Sequence, residues 1–118
     1  MKLTPEVLEE IKSQYPKVIV LEFDEDDYVF RYMSIMEYKS YRKIMEKSQK
    51  LDKVGKSIEI EEDEMRKLIH GLCVFPEADV YQAALEIDGY IYEILPVNYI
   101  YHYFKRHAKV EEETKVEG

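Results

Sequence analysis

The sequence predicts an α+β fold that is mainly α, with an N-terminal helix and a β-hairpin packed on a small helical bundle. Three observations carry that expectation. Two runs of β-branched and aromatic residues, VIVLEF (18 to 23) and YVFRYM (28 to 33), flank the polar stretch DEDD. Apolar residues return at three- and four-residue spacing from Ile35 onward and again from Met65 onward. A two-stranded hairpin is not stable alone, so it must pack on those helices.

The first helix opens with Thr4 as N-cap and Pro5 at the first helical position, carries Val7, Leu8 and Ile11 as a short stripe, and ends before Pro16. The hairpin follows, with DEDD as a longer loop. Ser34 and Glu37 form an S-x-x-E capping box that starts the second helix. Ile35, Tyr38, Tyr41, Ile44 and Met45 make its apolar side to about Lys50, opposite Lys39, Arg42, Lys43 and Lys47. Residues 51 to 60 read as a connector whose Ile58 and Ile60 reach the core.

Met65, Leu68, Ile69, Leu72 and Cys73 form the next stripe, with Glu61, Glu62, Asp63 and Glu64 at the dipole's positive end and Pro76 as the stop. Asp79 and Gln82 resemble a second capping pair. Val80, Ala83, Ala84, Ile87, Ile91, Ile94 and Leu95 share one helical face up to Pro96, although Gly89 weakens this reading and the alternation in GYIYEI leaves a strand open. A last helix takes in Val97, Ile100, Tyr101, Phe104 and Ala108. The chain thus reads as a single domain over residues 1 to 108 and an acidic, disordered tail over 109 to 118.

The 118 residues suit one domain. A formal net charge of -8 disfavours nucleic acid and anionic membrane as partners and favours basic ones. Cys73 is the only cysteine, which excludes an internal disulfide and fits a reducing compartment. No apolar run has the length of a membrane span, and the N-terminus lacks the apolar region of a secretory signal. Eleven tyrosines with no tryptophan favour an interaction protein, because tyrosine joins a large ring to a polar tip.

No residue is nominated for catalysis, metal or cofactor. VGKS at 54 to 57 lacks the first glycine of a phosphate loop, where Lys50 stands. Asp24 and Asp26 begin like a calcium loop, but Val29 and Ile35 occupy its glycine and glutamate positions. His70, His102 and His107 are too scattered for a metal motif, and His70 is expected on a helix rim. Cys73 continues an apolar stripe and reads as an inert buried thiol.

Phe30-Arg31 closing a strand, then Glu37-Tyr38-Lys39 opening a helix, resembles the N-terminal pattern of the tail assembly chaperones of tailed bacteriophages and related baseplate-hub assembly proteins. The Cys73-Val74-Phe75-Pro76 run and the Leu95-Pro96 step are similar to later landmarks of that family. The chain departs from it at Tyr32-Met33, where proline is usual, and at Val97-Asn98, where small residues are usual.

The resemblance implies a non-catalytic assembly chaperone in the host cell cytoplasm, binding tape-measure, tail-tube or baseplate-hub subunits, with a homo-oligomer as a further option. A permanent structural subunit, retained in the virion, is the alternative reading. An acidic phage protein that inhibits a host factor is another. Candidate partner-binding residues are Tyr28, Tyr32, Tyr38, Tyr41, Tyr99, Tyr101 and Tyr103, divided between core and rim. In a helix over 97 to 107, tyrosines 99, 101 and 103 cannot all face inward, so some are expected at the surface.

Overall fold

The computed structural model describes the backbone of residues 1–54 and 58–117 and the side chains of residues 1–47 and 62–105. Among these, five helices accompany one three-stranded antiparallel sheet, so the fold is α+β and mainly α. Helix α1 (Pro5–Gln14) begins as expected: Thr4 is extended and its hydroxyl accepts the Val7 N–H at 3.3 Å. Strands β1 (Val18–Phe23) and β2 (Asp26–Arg31) pair with Val18 opposite Arg31 and Phe23 opposite Asp26.

The hairpin turn is tighter than the longer loop expected from DEDD. Asp24 and Glu25 alone leave the ladder, both at positive φ (50° and 68°), as a two-residue turn of the I′ kind requires. Asp26 and Asp27 lie in β2 instead, where they hold the N-terminus. The Met1 amine pairs with the Asp26 carboxylate, and the Leu3 N–H donates to Asp27 Oδ2 at 2.8 Å.

Strand alternation sorts the sheet into two faces. Ile19, Leu21, Tyr28 and Phe30 enter the main core with Ile69, Leu72, Tyr81, Leu85, Ile91, Leu95 and Tyr99. Val29 is fully buried but points the other way, outside that cluster.

The strand-to-helix corner forms as its capping box predicts. Ser34 N–H donates to Glu37 Oε1 at 2.8 Å and Glu37 N–H donates to Ser34 Oγ at 3.2 Å. Arg31 adds a two-pronged pair, both guanidinium nitrogens lying 2.7 Å from the Glu37 carboxylate oxygens. The Arg31 carbonyl in turn accepts the Tyr99 hydroxyl at 2.9 Å, tying the corner to the C-terminal helix.

Helix α2 spans Ile35–Val54 and α3 spans Ile58–His70, so helix covers most of the expected connector. The side chains of Ile58 and Ile60, and residues 55–57 of the VGKS stretch, lie outside the described residues. Ile35 is exposed rather than part of the apolar side, since it sits ~120° around the helix from the buried Tyr41.

Helix α3 ends at His70 rather than running to Pro76. Leu72 N–H turns back to the Ile69 carbonyl at 2.9 Å, and Cys73–Phe75 becomes strand β3 on the free edge of β2, with Val29 opposite Phe75 and Phe30 opposite Cys73. Pairing satisfies an edge that would otherwise carry open backbone groups. The Phe75-Pro76 peptide bond is cis.

The single helix expected over 79 to 95 is two. Helix α4 (Ala78–Ile87) begins with Glu77 as its N-cap, which makes no side-chain capping bond, so Asp79 sits in the first turn rather than at a cap. Asp88 closes α4 through its N–H to the Ala84 carbonyl at 3.1 Å and opens α5 through its carboxylate, which accepts the Tyr90 N–H at 3.0 Å. Helix α5 (Gly89–Glu117) then carries Pro96 in its interior. The break re-aims α4, so that Tyr81 and Leu85 are buried while Val80 and Ile87 are exposed. The side chains of residues 109–118, expected to form a tail, lie outside the described residues.

Candidate functional site

Four of the seven candidate tyrosines are core residues. Tyr28, Tyr41, Tyr99 and Tyr103 are buried, Tyr32 and Tyr38 are half-buried, and Tyr101 is 57% exposed. All but Tyr101 belong to one connected network of rings rather than a rim, two groups of contacts bridged by Tyr103 against Phe104 at 5.2 Å. Tyr99 meets Phe30 at 5.6 Å and Tyr103 at 5.5 Å, and Tyr103 meets Tyr32 at 5.3 Å, joining the sheet to α5. Tyr38 and Tyr41 pack on Phe104 at 6.3 and 5.7 Å, joining α2 to α5. Spaced four apart, Tyr99 and Tyr103 share the inner side of α5, which leaves Tyr101 outside. Burial raises the pKa of the Tyr28 and Tyr41 hydroxyls and keeps them neutral, as expected for packing residues.

The densest polar arrangement was not nominated from the sequence. Pro96 has no N–H, so the Tyr92 carbonyl four residues earlier loses its helical donor. His70 supplies one from α3: its Nε2 lies 2.8 Å from the Tyr92 oxygen, and a carbonyl can only accept. Nε2 therefore carries the hydrogen, and Nδ1 accepts the Tyr81 hydroxyl at 2.5 Å. The imidazole stacks on the Tyr92 ring at 4.6 Å, and the Tyr92 hydroxyl donates to Asp63 at 2.6 Å.

Burial lowers the His70 pKa and, with the Asp63 bond, pushes that of Tyr92 up to about 12. His70 thus sits between three helices rather than on a rim. The signal was present in the sequence as Pro96, since a proline inside a helix announces an orphaned carbonyl at i−4. The network leaves no ring nitrogen for substrate. It is a structural clamp.

The apolar opening lies on the other side of the sheet. Val7 and Ile11 of α1, with Tyr15 just after it, face Val74 and Phe75 of β3 and Val80 of α4 across a groove of about 490 Å³. Glu10 and Glu77 are the charged side chains that line it. None of α1's residues is fully buried, and its polar ties to the sheet sit at its N-terminal end, through Met1, Lys2 and Leu3. A shallower depression of about 480 Å³ continues past Tyr15 and Pro16 toward Tyr32 and Met33.

Cys73 is half-buried, its thiol turned to the Phe75 carbonyl at 3.2 Å and pushed up to about 12 by burial, so it is a poor nucleophile. No group of three metal-binding side chains occurs among the described residues, and no helix there is long and apolar enough to cross a membrane. Comparison with protein-family models, with curated proteins and with solved structures finds no match to the chain.

Proposed function

We propose that this protein is a binding protein of the assembly-chaperone kind, which holds an apolar, basic segment of a partner in the groove between α1 and the β3–α4 corner. The observation that carries this reading is the groove's lining: an apolar floor whose charged side chains are both carboxylates, on a chain of net charge -8. Such a lining fits an amphipathic segment that buries leucine- or valine-type residues and places lysine or arginine on the rim. Held only at its N-terminal end by polar ties, α1 can shift to admit the segment.

The similarity of the Phe30-Arg31 and Glu37-Tyr38-Lys39 corner to phage tail assembly chaperones makes tape-measure, tail-tube or baseplate-hub subunits the first partners to try. The test is co-expression with such a subunit from the same genome and pull-down, comparing the unaltered chain with Glu77→Lys and Val80→Arg. Both positions are exposed, and a thermal melt of each variant checks that the fold is retained. The proposal expects both variants to lose the partner; full retention by both would overturn it. Finding the chain in purified virions would move the reading to a permanent structural subunit.

A further inference from the structure

A second surface shares no residue with the groove. Along α5, Tyr90, Ile94, Val97 and Tyr101 follow one another at four-, three- and four-residue steps, which places them within an arc of about 60°. Tyr90, Val97 and Tyr101 are 63%, 52% and 57% exposed, Ile94 is half-buried, and Ile87 just ahead of the helix is 86% exposed. The inner side of the same helix is filled by Ile91, Leu95, Tyr99 and Tyr103. An outward stripe on a helix whose inner side is already satisfied has no role in the fold of the single chain.

The charges beside the stripe change sign along it. Glu86 and Glu93 lie exposed at its start, and Lys105 lies exposed at its end with its ammonium 5.3 Å from the Tyr101 ring. That order is self-complementary in one arrangement only: a second copy running antiparallel, centred on Val97 and Asn98. Ile94 then meets the partner's Tyr101, and Tyr90 meets the partner's Lys105, whose ammonium can lie against that ring as it lies against Tyr101 in its own chain. A parallel copy would set glutamate against glutamate and lysine against lysine.

The geometry points to a homodimer of this protein formed by antiparallel packing of two α5 helices along Tyr90, Ile94, Val97 and Tyr101. Sedimentation equilibrium on the full chain over about a hundredfold range of concentration tests it. The unaltered chain is expected to dimerise, and Val97→Glu, which sets a carboxylate on the centre of the seam, is expected to raise the dimer Kd by at least about tenfold.

Lys105→Glu, which sets a carboxylate against the partner's Tyr90 ring, is expected to weaken the dimer, and Lys105→Arg to retain it. Within one chain Lys105 and Tyr90 are about 22 Å apart along the helix, so a coupling between them in a double-mutant cycle with Tyr90→Ala can arise only between copies. A chain that stays monomeric throughout, a dimer indifferent to Val97→Glu, or a dimer indifferent to Lys105→Glu would each overturn the inference. Because the groove lies elsewhere, Val97→Glu leaves client pull-down unchanged if both surfaces act as described.

Discussion

Replacing His70 by alanine removes the donor that α3 supplies to a carbonyl that Pro96 has orphaned. Two hydrogen bonds are lost, to the Tyr92 carbonyl at 2.8 Å and to the Tyr81 hydroxyl at 2.5 Å, along with the ring stacked on Tyr92. A neutral hydrogen bond contributes about 1 kcal/mol net, and leaving a buried carbonyl without a donor costs about 1–3 kcal/mol. The expected loss is about 2–4 kcal/mol, read from urea unfolding as a fall in midpoint at unchanged slope.

The cause is separable from simple loss of packing by a double-mutant cycle with Pro96→Ala. Alanine at 96 restores an N–H that can reach the Tyr92 carbonyl, so His70→Ala should cost at least about 1 kcal/mol less in that background. Equal costs in both backgrounds would refute the capped-carbonyl account. The pH dependence gives a second reading. Because burial holds His70 below its ordinary 6.5, the unfolded chain takes up the proton first, and stability falls as the pH drops through that value. His70→Ala removes this component of the slope.

Three further outcomes are expected. Glu37, held down to about 2 by Arg31 and Ser34 against an ordinary 4.5, contributes stability that is complete above pH 4.5 and is lost as the pH falls toward 2. Its partial exposure limits that contribution to about 1–2 kcal/mol, and Glu37→Gln should flatten acid unfolding over that window. Glu25→Gly relieves a positive φ at the hairpin tip and should stabilise by about 0.5–1 kcal/mol in thermal or urea melts. Tyr99→Phe keeps the ring but deprives the Arg31 carbonyl of its hydroxyl donor, which should cost about 1 kcal/mol in the same melts.

Local signals were the legible ones. Thr4-Pro5 and Ser34-x-x-Glu37 specify helix starts within a few residues, and both occur where the sequence places them. The β-branched and aromatic runs show two strands but not which side enters the core, since Tyr28, Val29 and Phe30 are buried in succession. What escaped depends on partners remote in the chain. Leu72 and Cys73 continue a helical spacing, yet the open edge of β2 draws Cys73–Phe75 into a strand, because an unpaired edge outweighs a weak periodic pattern.

Asp88-Gly89 broke the α4–α5 stripe where a pattern of isoleucines and alanines had bridged it, since a carboxylate that caps one helix while its N–H closes another leaves no hydrophobic trace. For the candidate site, residue type was legible and direction was not. Tyrosines suit core and rim alike, and only the pitch of α5 decides that Tyr99 and Tyr103 turn inward while Tyr101 turns out. The groove escaped for a similar reason, because Val7, Phe75 and Val80 come from three separate elements.

The central claim, that the α1 groove keeps a partner's apolar and basic segment in solution, is tested most directly by the soluble fraction of a co-expressed tail subunit that precipitates alone. The account predicts that the unaltered chain brings the subunit into the supernatant as a complex of defined mass and that Glu77→Lys does not. A subunit that stays insoluble with every neighbouring candidate, or one solubilised equally by Glu77→Lys and Val80→Arg, would contradict it.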